Sequence, residues 1–477
     1  MRSGKVGPGP VPRRVAPAGR LRGEIRLPSD KSIAHRALLF NAMAAGSAQI
    51  TLRRPGADVL STVQVLSDLG VVAGMEKTDG SVTVTVRGGG TADAARLTGG
   101  GGERMDCGNS GTTMRLLCGA LAGRAGTTAA GPAGEAVEAS GPRAAELYGD
   151  TSLSSRPMER VAGPLRAMGA DVATTDGHAP VRVGGHRPLR SMHHALPVAS
   201  AQVVSAISLA ALAAEGTTTI DTPAETRDHT ERLLAWLGAD VRREGRRTSI
   251  KGPARMQARS LTVPGDISSA AAWLVAAALH PDAELRLLDV SLNPSRLAIV
   301  DVLREMGTDI KVKAHEALPG GSSPEPVGDL VVRTATTLRP ISLGGDRVAP
   351  LIDELPLIAV AMAAANGVSE LRDAGELRVK ESDRIAQVVR HLVAMGVNAE
   401  ELPDGWRVTG GRRARLVPLP VGTGGDHRIG IAFAIAALSG LSGEALVDDP
   451  ACIDVSYPGF WEDLEAVSDR TMAGAAR

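Results

Sequence analysis

A short charged run holds two cations and two carboxylates within five residues, Lys380-Glu381-Ser382-Asp383-Arg384. The amphipathic residues 385–395 follow it, so we expect a helix whose first turn includes Lys380, Glu381 and Arg384. Two cations there oppose the helix dipole, and local stability therefore does not explain them. An anionic ligand would explain them, because helix N–H groups and both cations could hold it while Glu381 moves a proton. A solvated charged turn at the start of a surface helix is the alternative interpretation.

The overall composition argues against several classes of binding partner. Lys plus Arg and Asp plus Glu number 53 each, so no global field favours nucleic acid or an anionic membrane. Aromatic residues make up only 2% of the chain, which argues against base-stacking platforms. The longest apolar runs, such as 270–279 and 429–438, are too short to cross a bilayer, and residues 1–14 do not read as a secretory signal. Three cysteines without metal-ligand spacing predict a reduced, cytoplasmic protein without structural disulfides, and we expect no metal site.

Two kinds of helical segment recur along the chain. The first kind is amphipathic and ends in a Leu-x-x-apolar-Gly pattern before an alternating, strand-like stretch. Its glycines suit left-handed helix caps and are Gly70, Gly169, Gly238, Gly307 and Gly396. This repetition predicts a chain built from one supersecondary unit used several times.

The second kind of segment is apolar almost all round, which predicts burial. There are six such segments, at 33–45, 112–121, 203–214, 270–279, 355–365 and 429–438. Each is entered through a polar cluster, and an ordinary helix N-cap is the simplest interpretation of any single cluster. Six together suggest a βαβαββ unit repeated six times, whose buried helix N-termini could form an anion-binding surface. The Ala/Gly/Pro/Glu-rich run 129–145 is interpreted as a surface insertion, and residues 320–326 as an exposed loop.

With these motifs in order, the chain resembles the enolpyruvyl transferases from about residue 21 to residue 460. The motifs that carry the resemblance begin at Lys31, Gly108, Arg156, Ser200, Thr226, Pro264, Asn293, Asp353, Lys380 and Asp426. The resemblance implies an α/β fold, an inside-out α/β barrel of two similar domains, each with three βαβαββ repeats and buried parallel helices. The first domain would combine residues 1–27 with 264–477, and the second would be 28–263.

The resemblance also implies a reaction. Shikimate 3-phosphate and phosphoenolpyruvate would be joined with release of phosphate, in aromatic amino acid biosynthesis, by a monomer that needs no cofactor and closes on its substrates. The positions that match the family's phosphoenolpyruvate pocket are Lys31, Asn109, Gly111, Arg156, Gln202, Arg384 and Arg428. Arginine suits the bidentate grip of phosphate and carboxylate that such a pocket needs.

The remaining matches concern the acceptor and the proton transfers. The positions that match the shikimate 3-phosphate site are Lys31, Ser32, Arg36, Ser200, Ala201, Gln202, Arg227, Asp353 and Lys380. By the same resemblance, Asp353 would contact the reacting hydroxyl and Glu381 would donate the proton to the methylene carbon. Lys31 and Lys380 would complete the catalytic set, with Lys380 bridging both substrates.

Two other functions stay open. An enolpyruvyl transferase of the same fold could use another acceptor, either UDP-N-acetylglucosamine or a secondary metabolite. The active-site Cys loop of the sugar-nucleotide branch is not evident, but a Lys that many family members carry near the C-terminus is also missing before Tyr457-Pro458. A non-catalytic anion-binding protein could keep the fold, although it would favour losing the carboxylates of Asp353 and Glu381.

Overall fold

The structure is a computed structural model that describes residues 11–90, 97, 104–123, 144–184, 189–316, 323–411 and 419–468. The insertion predicted at 129–145 lies outside these residues except for Ala144 and Ala145. In the described residues the α-helices are α1 Lys31–Met43, α2 Ala57–Asp68, α3 Gly111–Ala122, α4 Thr151–Ser154, α5 Glu159–Ala167, α6 Ala201–Ala211, α7 His229–Trp236, α8 Ile267–Leu279, α9 Ala298–Met306, α10 Val348–Leu351, α11 Leu355–Ala364, α12 Arg384–Ala394, α13 His427–Leu438 and α14 Phe460–Val467. Short 3-10 helices lie at Pro294–Arg296, Gly345–Arg347, Gly375–Val379 and Pro450–Val455.

The strands are short and spread along the whole described chain. They are β1 Arg13–Val15, β2 Leu21–Arg26, β3 Ser47–Arg53, β4 Val72–Thr78, β5 Ser81–Arg87, β6 Arg104–Asp106, β7 Ala145–Tyr148, β8 Asp171–Thr175, β9 His178–Gly184, β10 His193–Ala195, β11 Gly216–Asp221, β12 Val241–Glu244, β13 Arg247–Gly252, β14 Leu261–Thr262, β15 Ala283–Ser291, β16 Ile310–Ala314, β17 Val327–Arg333, β18 Ser342–Leu343, β19 Val368–Leu371, β20 Asn398–Leu402, β21 Gly405–Thr409, β22 Leu419–Val421 and β23 Ala445–Val447. Ala145, predicted to end the insertion, begins a strand and is buried.

Contacts divide the chain into two compact units. The first comprises Met1–Pro28, Pro264–Glu316 and Pro326–Arg477, and the second comprises Ser29–Val263 with Ala317–Glu325. Each unit has its own hydrophobic core of buried side chains. Whether the units are separate domains with the boundaries expected from the sequence stays a prediction.

The sheets repeat one strand order. Five sheets join a parallel pair to two antiparallel neighbours, in the orders β14-β3-β5-β4, β6-β7-β9-β8, β10-β11-β13-β12, β2-β15-β17-β16 and β18-β19-β21-β20. A three-stranded sheet in the first unit has a parallel pair β22-β23 and an antiparallel neighbour β1. Each unit thus contains three related sheets with helices between the strands, which confirms the α/β fold and its repeats.

The apolar segments form the buried helices predicted from the sequence. They are α1, α3 and α6 in the second unit and α8, α11 and α13 in the first, and α8 buries every residue from Ile267 to Ala278. Side chains cap five of these helices: those of Asp30, Ser110, Ser200, Asp266 and Asp426 accept from backbone N–H groups of the first turn. Five of the six polar entries therefore supply a side-chain N-cap, as the simplest interpretation held, whereas Glu354 before α11 makes no side-chain cap bond.

The amphipathic helices end as predicted. After α2, α5, α7, α9 and α12 come glycines with φ of 73°, 96°, 103°, 110° and 80° at Gly70, Gly169, Gly238, Gly307 and Gly396. Left-handed backbone of this kind favours glycine, which explains the repeated motif. Across the described residues, no helix combines the length and the apolar composition needed to cross a membrane.

Close approach of two backbones fixes the packing of α3 on α6. A β-carbon added at Gly119 would lie 2.1 Å from the carbonyl oxygen of Ala206. We expect Gly119→Ala to lower the free energy of unfolding by about 3 kcal/mol, because a backbone must move to admit the methyl group. Urea denaturation followed by circular dichroism measures this change.

Gly74→Ala is the control for this substitution. A β-carbon at Gly74 would meet nothing within 4 Å, so its free energy of unfolding should stay within about 0.5 kcal/mol of the parent. Equal stability of the Gly119→Ala and Gly74→Ala proteins would contradict the close-packing argument.

Candidate active site

The charged run Lys380-Glu381-Ser382-Asp383-Arg384 does not form the first turn of a helix. The helix α12 begins at Arg384, because the side chain of Asp383 caps it by accepting from the backbone N–H of Ala386 at 3.0 Å. Lys380 and Glu381 precede the cap, so the predicted helix start was wrong. Lys380 instead donates through Nζ to Glu376 Oε1 at 2.7 Å and does not share a helix face with Arg384.

The Arg384 side chain is buried and lies beside three carboxylates. Its side chain is only 1% exposed, and its Nε donates to Asp426 Oδ2 at 2.8 Å. Its Nη2 donates to Glu381 Oε2 at 2.6 Å, and its Nη1 lies 3.9 Å from Asp353 Oδ1. Burial alone would lower the pKa of Arg384, but the charges of Asp426, Glu381 and Asp353 raise it above its ordinary value. The guanidinium is therefore a fixed cation beside both predicted acid/base carboxylates.

Arg428 and Asp353 lie at the starts of neighbouring buried helices. Arg428 is the second residue of α13, and Asp353 stands two residues before α11, which packs on α13. The Nη1 atom of Arg428 lies 3.9 Å from Glu354 Oε1, and Glu354 is 2% exposed. The first unit therefore brings together five of the predicted residues: Asp353, Lys380, Glu381, Arg384 and Arg428.

In the second unit, α1 presents Lys31, Ser32 and Arg36. Lys31 Nζ donates to Asp58 Oδ2 at 3.0 Å, so a carboxylate from α2 already accompanies this lysine. Arg36 is only 3% exposed and donates to Thr230 Oγ1 at 2.8 Å, Ser205 Oγ at 2.7 Å and the carbonyl of Ser32 at 2.9 Å. Burial lowers the pKa of Arg36 to about 10. Its contacts hold α1 to α6 and α7.

The loop before α3 pairs Asn109 with Arg156. The Oδ1 atom of Asn109 accepts from Arg156 Nη2 at 2.7 Å, and its Nδ2 donates to Asp150 Oδ2 at 2.7 Å. Ser110, and not Asn109, caps the helix. A β-carbon at Gly111 would lie 3.1 Å from Arg115 Nη1 and 3.4 Å from Arg156 Nη1, so the missing side chain keeps space beside two guanidiniums.

The start of α6 contributes Ser200, Ala201 and Gln202. Ser200 is the N-cap, and Gln202 links two helices because its Nε2 donates to Thr112 Oγ1 at 2.9 Å and its Oε1 accepts from Arg115. Arg227 lies in the segment just before α7. The second unit thus gathers predicted residues from the starts of α1, α3 and α6.

A buried contact between two side chains lies at the start of α7, two residues after Arg227. His229 Nδ1 lies 2.7 Å from Glu325 Oε1, and both side chains are 1% exposed. The exposure predicted for the loop 320–326 was therefore wrong at Glu325. A polar sequence does not reveal that one of its side chains has a buried partner.

Several residues near the site were missed by the sequence analysis. Asp58, Arg115, Asp150 and Glu376 received no role, yet each contacts a predicted site residue. Asp426 belongs to a quoted motif, and its adjacency to Arg428 was a usable signal. Asp58, Arg115 and Asp150 are 27 to 87 residues from their partners and carry no local signature, whereas Glu376 lies four residues before Lys380 and that spacing was a usable signal.

A group of three possible metal ligands lies in the first unit. The donor atoms of Asp289, His315 and Asp329 stand within 4.8 Å of one another. However, Arg26 donates to Asp289 at 2.5 Å and Arg286 to Asp329 at 2.7 Å. These guanidiniums supply the positive charge that a metal ion would bring, so the group reads as an ion-pair network.

Comparison with solved structures places the fold among the enolpyruvyl transferases. The structure matches the enolpyruvyl transferase NikO from Streptomyces tendae with a TM-score of 0.71 at 19% identity, covering 97% of this chain and 98% of that one. It matches EPSP synthase from Acinetobacter baumannii with a TM-score of 0.80 at 35% identity, covering 95% and 98% of the two chains.

Sequence comparison identifies the family within that class. The model of the EPSP synthase family, 3-phosphoshikimate 1-carboxyvinyltransferase, matches residues 15–464. The 3-phosphoshikimate 1-carboxyvinyltransferase of Gloeobacter violaceus is 44% identical over 455 residues, 95% of this chain and 98% of that protein. The chain belongs to the EPSP synthase family and is an enzyme of that family, as the sequence motifs indicated.

A buried histidine beside the site makes stability depend on pH. His35 lies on α1 with Nδ1 2.7 Å from Thr62 Oγ1, and burial lowers its pKa to about 3. As the pH falls below about 6.5, the His35 imidazole binds a proton in the unfolded chain but not in the native protein. The free energy of unfolding therefore falls between about pH 6.5 and pH 3. We expect His35→Asn to remove up to about 1.4 kcal/mol per pH unit of this decline, measured by urea denaturation from pH 7 to 5.

The control for this prediction is Ser67→Asn, at an exposed position of α2, which introduces the same amide without removing a titratable group. That substitution should leave the slope of unfolding free energy against pH unchanged. A His35→Asn protein with the parent slope would contradict the buried neutral imidazole.

Proposed function

We propose that this protein transfers the enolpyruvyl group of phosphoenolpyruvate to the 5-hydroxyl of shikimate 3-phosphate. The products are 5-enolpyruvylshikimate 3-phosphate and phosphate, in the pathway to aromatic amino acids. The observation that carries the proposal is the family match over residues 15–464. The cluster of Arg384 with Asp353, Glu381 and Asp426 supports it, since it combines a buried cation with groups able to move protons.

The reaction sets two demands on the site. Addition of the hydroxyl to C2 of phosphoenolpyruvate needs a proton at the methylene carbon, and elimination of phosphate takes a proton back. Two phosphates and two carboxylates also bring about four to five negative charges that must be neutralised. Fixed cations and backbone N–H groups at helix starts meet the second demand without reorganisation.

The binding residues proposed for phosphoenolpyruvate are the positions that match the family's pocket. They are Lys31, Asn109, Gly111, Arg156, Gln202, Arg384 and Arg428. The hydrogen bonds from Arg156 Nη2 to Asn109 Oδ1 and Ser152 Oγ support this group because they orient the guanidinium plane through one of its three nitrogens. The space kept by Gly111 supports close approach of the ligand to backbone.

The binding residues proposed for shikimate 3-phosphate are Lys31, Ser32, Arg36, Ser200, Ala201, Gln202, Arg227, Asp353 and Lys380. Ser32 and Ser200 support a phosphate site because both lie at starts of buried helices, where N–H groups favour anions. Arg36 supports the site chiefly by fixing the carbonyl of Ser32, since it is 3% exposed and its three nitrogens all donate to protein oxygens.

The proton transfers are assigned to two carboxylates. Glu381 is the proposed donor to the methylene carbon, supported by its 31% exposure and its hydrogen bond to Arg384. Asp353 is proposed to contact the 5-hydroxyl, supported by its place beside the same guanidinium. Lys31 and Lys380 complete the catalytic set, each now held by a carboxylate that a substrate anion could replace.

The cellular setting is also a proposal. We expect a monomer made of two similar domains, residues 1–27 plus 264–477 and residues 28–263, working in the cytoplasm with these two small substrates and with neither nucleic acid nor membrane. Three buried free cysteines support a reducing compartment. Burial raises the pKa of Cys118 and of Cys452 to about 12, which suits inert thiols.

Phosphate release tests the proposed reaction directly. Purified protein should release phosphate only when phosphoenolpyruvate and shikimate 3-phosphate are both present, with an enolpyruvyl ether formed in equal amount. Release with UDP-N-acetylglucosamine instead would move the function to another acceptor. Binding of phosphoenolpyruvate without release under either condition would favour the non-catalytic alternative.

Glu381→Gln tests the proton donor. The amide keeps an oxygen that can accept from Arg384 but has no acidic proton, so kcat should fall by about a hundredfold or more. Affinity for both substrates, measured by calorimetry, should change less than about threefold, since no binding contact is proposed for Glu381 itself.

The matched control is Glu400→Gln, at an exposed glutamate of β20 that pairs with Arg407. It carries the same chemical change outside the site and should keep full turnover. A Glu381→Gln enzyme as fast as this control would remove Glu381 from the mechanism.

A further inference from the structure

Glu354 is a buried carboxylate on which two guanidiniums converge. It is 2% exposed, immediately follows Asp353 and is the N-cap residue of α11. Its Oε1 atom accepts from the hydroxyl of Ser268, and it lies 3.4 Å from Arg296 Nη2 and 3.9 Å from Arg428 Nη1. No step of the proposed reaction uses Glu354 or Arg296, so their burial needs another explanation.

Burying the charged Arg296 side chain costs folding free energy. Its side chain is 3% exposed, and its Nη2 donates to Ser268 Oγ at 2.5 Å. Its Nε and Nη1 are buried, and no hydrogen-bond partner is found for them among the described residues. Unpaired buried N–H groups cost stability, and buried ion pairs are often replaced by apolar side chains without loss. Stability therefore does not account for an arginine here.

The contacts connect the starts of all three buried helices of the first unit. Ser268 is the second residue of α8, Glu354 is the N-cap residue of α11 without a side-chain cap bond, and Arg428 is the second residue of α13. The path from Arg296 through Ser268 and Glu354 therefore ends on a guanidinium proposed to bind phosphoenolpyruvate. At 3.9 Å, Glu354 attracts Arg428 by charge without occupying its donors through a short hydrogen bond, which leaves those donors for a ligand.

We propose that Arg296 and Glu354 are positioning residues for the phosphoenolpyruvate half of the site. Arg296, with Ser268, holds the Glu354 carboxylate towards Arg428, and the carboxylate in turn holds the Arg428 guanidinium in the orientation that meets an anionic group of phosphoenolpyruvate. This inference rests on the proposed role of Arg428. Arg296 itself touches no substrate and acts only through Glu354.

The test compares Arg296→Met, Glu354→Gln, the double variant and Arg428→Met by steady-state kinetics. Arg296→Met and Glu354→Gln should each raise KM for phosphoenolpyruvate about tenfold, because the guanidinium of Arg428 loses its orientation. KM for shikimate 3-phosphate should stay within about twofold, since that substrate contacts neither residue. The double variant should raise KM for phosphoenolpyruvate no more than Glu354→Gln alone, because residues acting through one contact are not additive.

Arg304→Met is the control for loss of a structural arginine in the same unit. Arg304 lies on α9 and donates to the carbonyl of Ile310 at 2.7 Å, away from the candidate site. It should lower the melting temperature while keeping the ratio of the two KM values. If Arg296→Met behaves like Arg304→Met, its role is structural and the inference is overturned.

Two further outcomes separate this inference from the proposed function. If Arg428→Met raises KM for phosphoenolpyruvate but the Arg296 and Glu354 variants do not, the inference alone fails. If Arg428→Met leaves that KM unchanged, the proposed role of Arg428 fails and the inference with it. Should a single variant not fold, the double variant removes both buried charges together, and a parental KM for phosphoenolpyruvate in it would also overturn the inference.

Discussion

The buried ion pair between Arg384 and Asp426 is the interaction on which the chemistry of the first unit depends. The exposed fraction is 1% for Arg384 and 0% for Asp426, so both charges have left water. Such a pair offsets its desolvation only when the remaining donors and acceptors are also satisfied. Asp426 accepts from the Ser382 hydroxyl and the backbone N–H of Arg428 as well, whereas Arg384 Nη1 has no hydrogen-bond partner among the described residues and only the charge of Asp353 at 3.9 Å. Burial alone would raise the pKa of Asp426, but Arg384 lowers it below its ordinary value.

The same arrangement recurs at three site cations that stand at or near the starts of helices. Lys31 has Asp58, Arg384 has Asp426 and Arg428 has Glu354 as a nearby carboxylate. Cations at these positions oppose the helix dipole, so the protein carries internal counter-ions for them. A substrate anion must compete with those carboxylates for each cation. The competition is stronger where the distance from cation to carboxylate is shorter. Arg428, at 3.9 Å from its carboxylate, is less engaged than Arg384 at 2.8 Å.

The elements were easier to predict than their contacts. The buried helices followed from apolar runs with polar entries, and the left-handed glycines after amphipathic helices followed from one repeated motif. The start of α12 was wrong because Asp383 captured the Ala386 N–H, a choice that hydrophobic periodicity does not show. Partnerships such as Lys31 with Asp58 and His229 with Glu325 span 27 and 96 residues, and only tertiary packing brings them together.

The misplaced helix start has a mechanistic meaning. Because α12 begins at Arg384, the guanidinium that stays charged is fixed in regular structure and 1% exposed. Glu381 and Lys380 stand outside the helix, where their side chains are 31% and 24% exposed. A fixed charge stabilises an anion best when it cannot reorganise, whereas a proton carrier must reach substrate carbon and then receive the proton back. Helix capping by Asp383 thus separates the two proposed tasks, placing the rigid cation and the proposed proton donor Glu381 three residues apart.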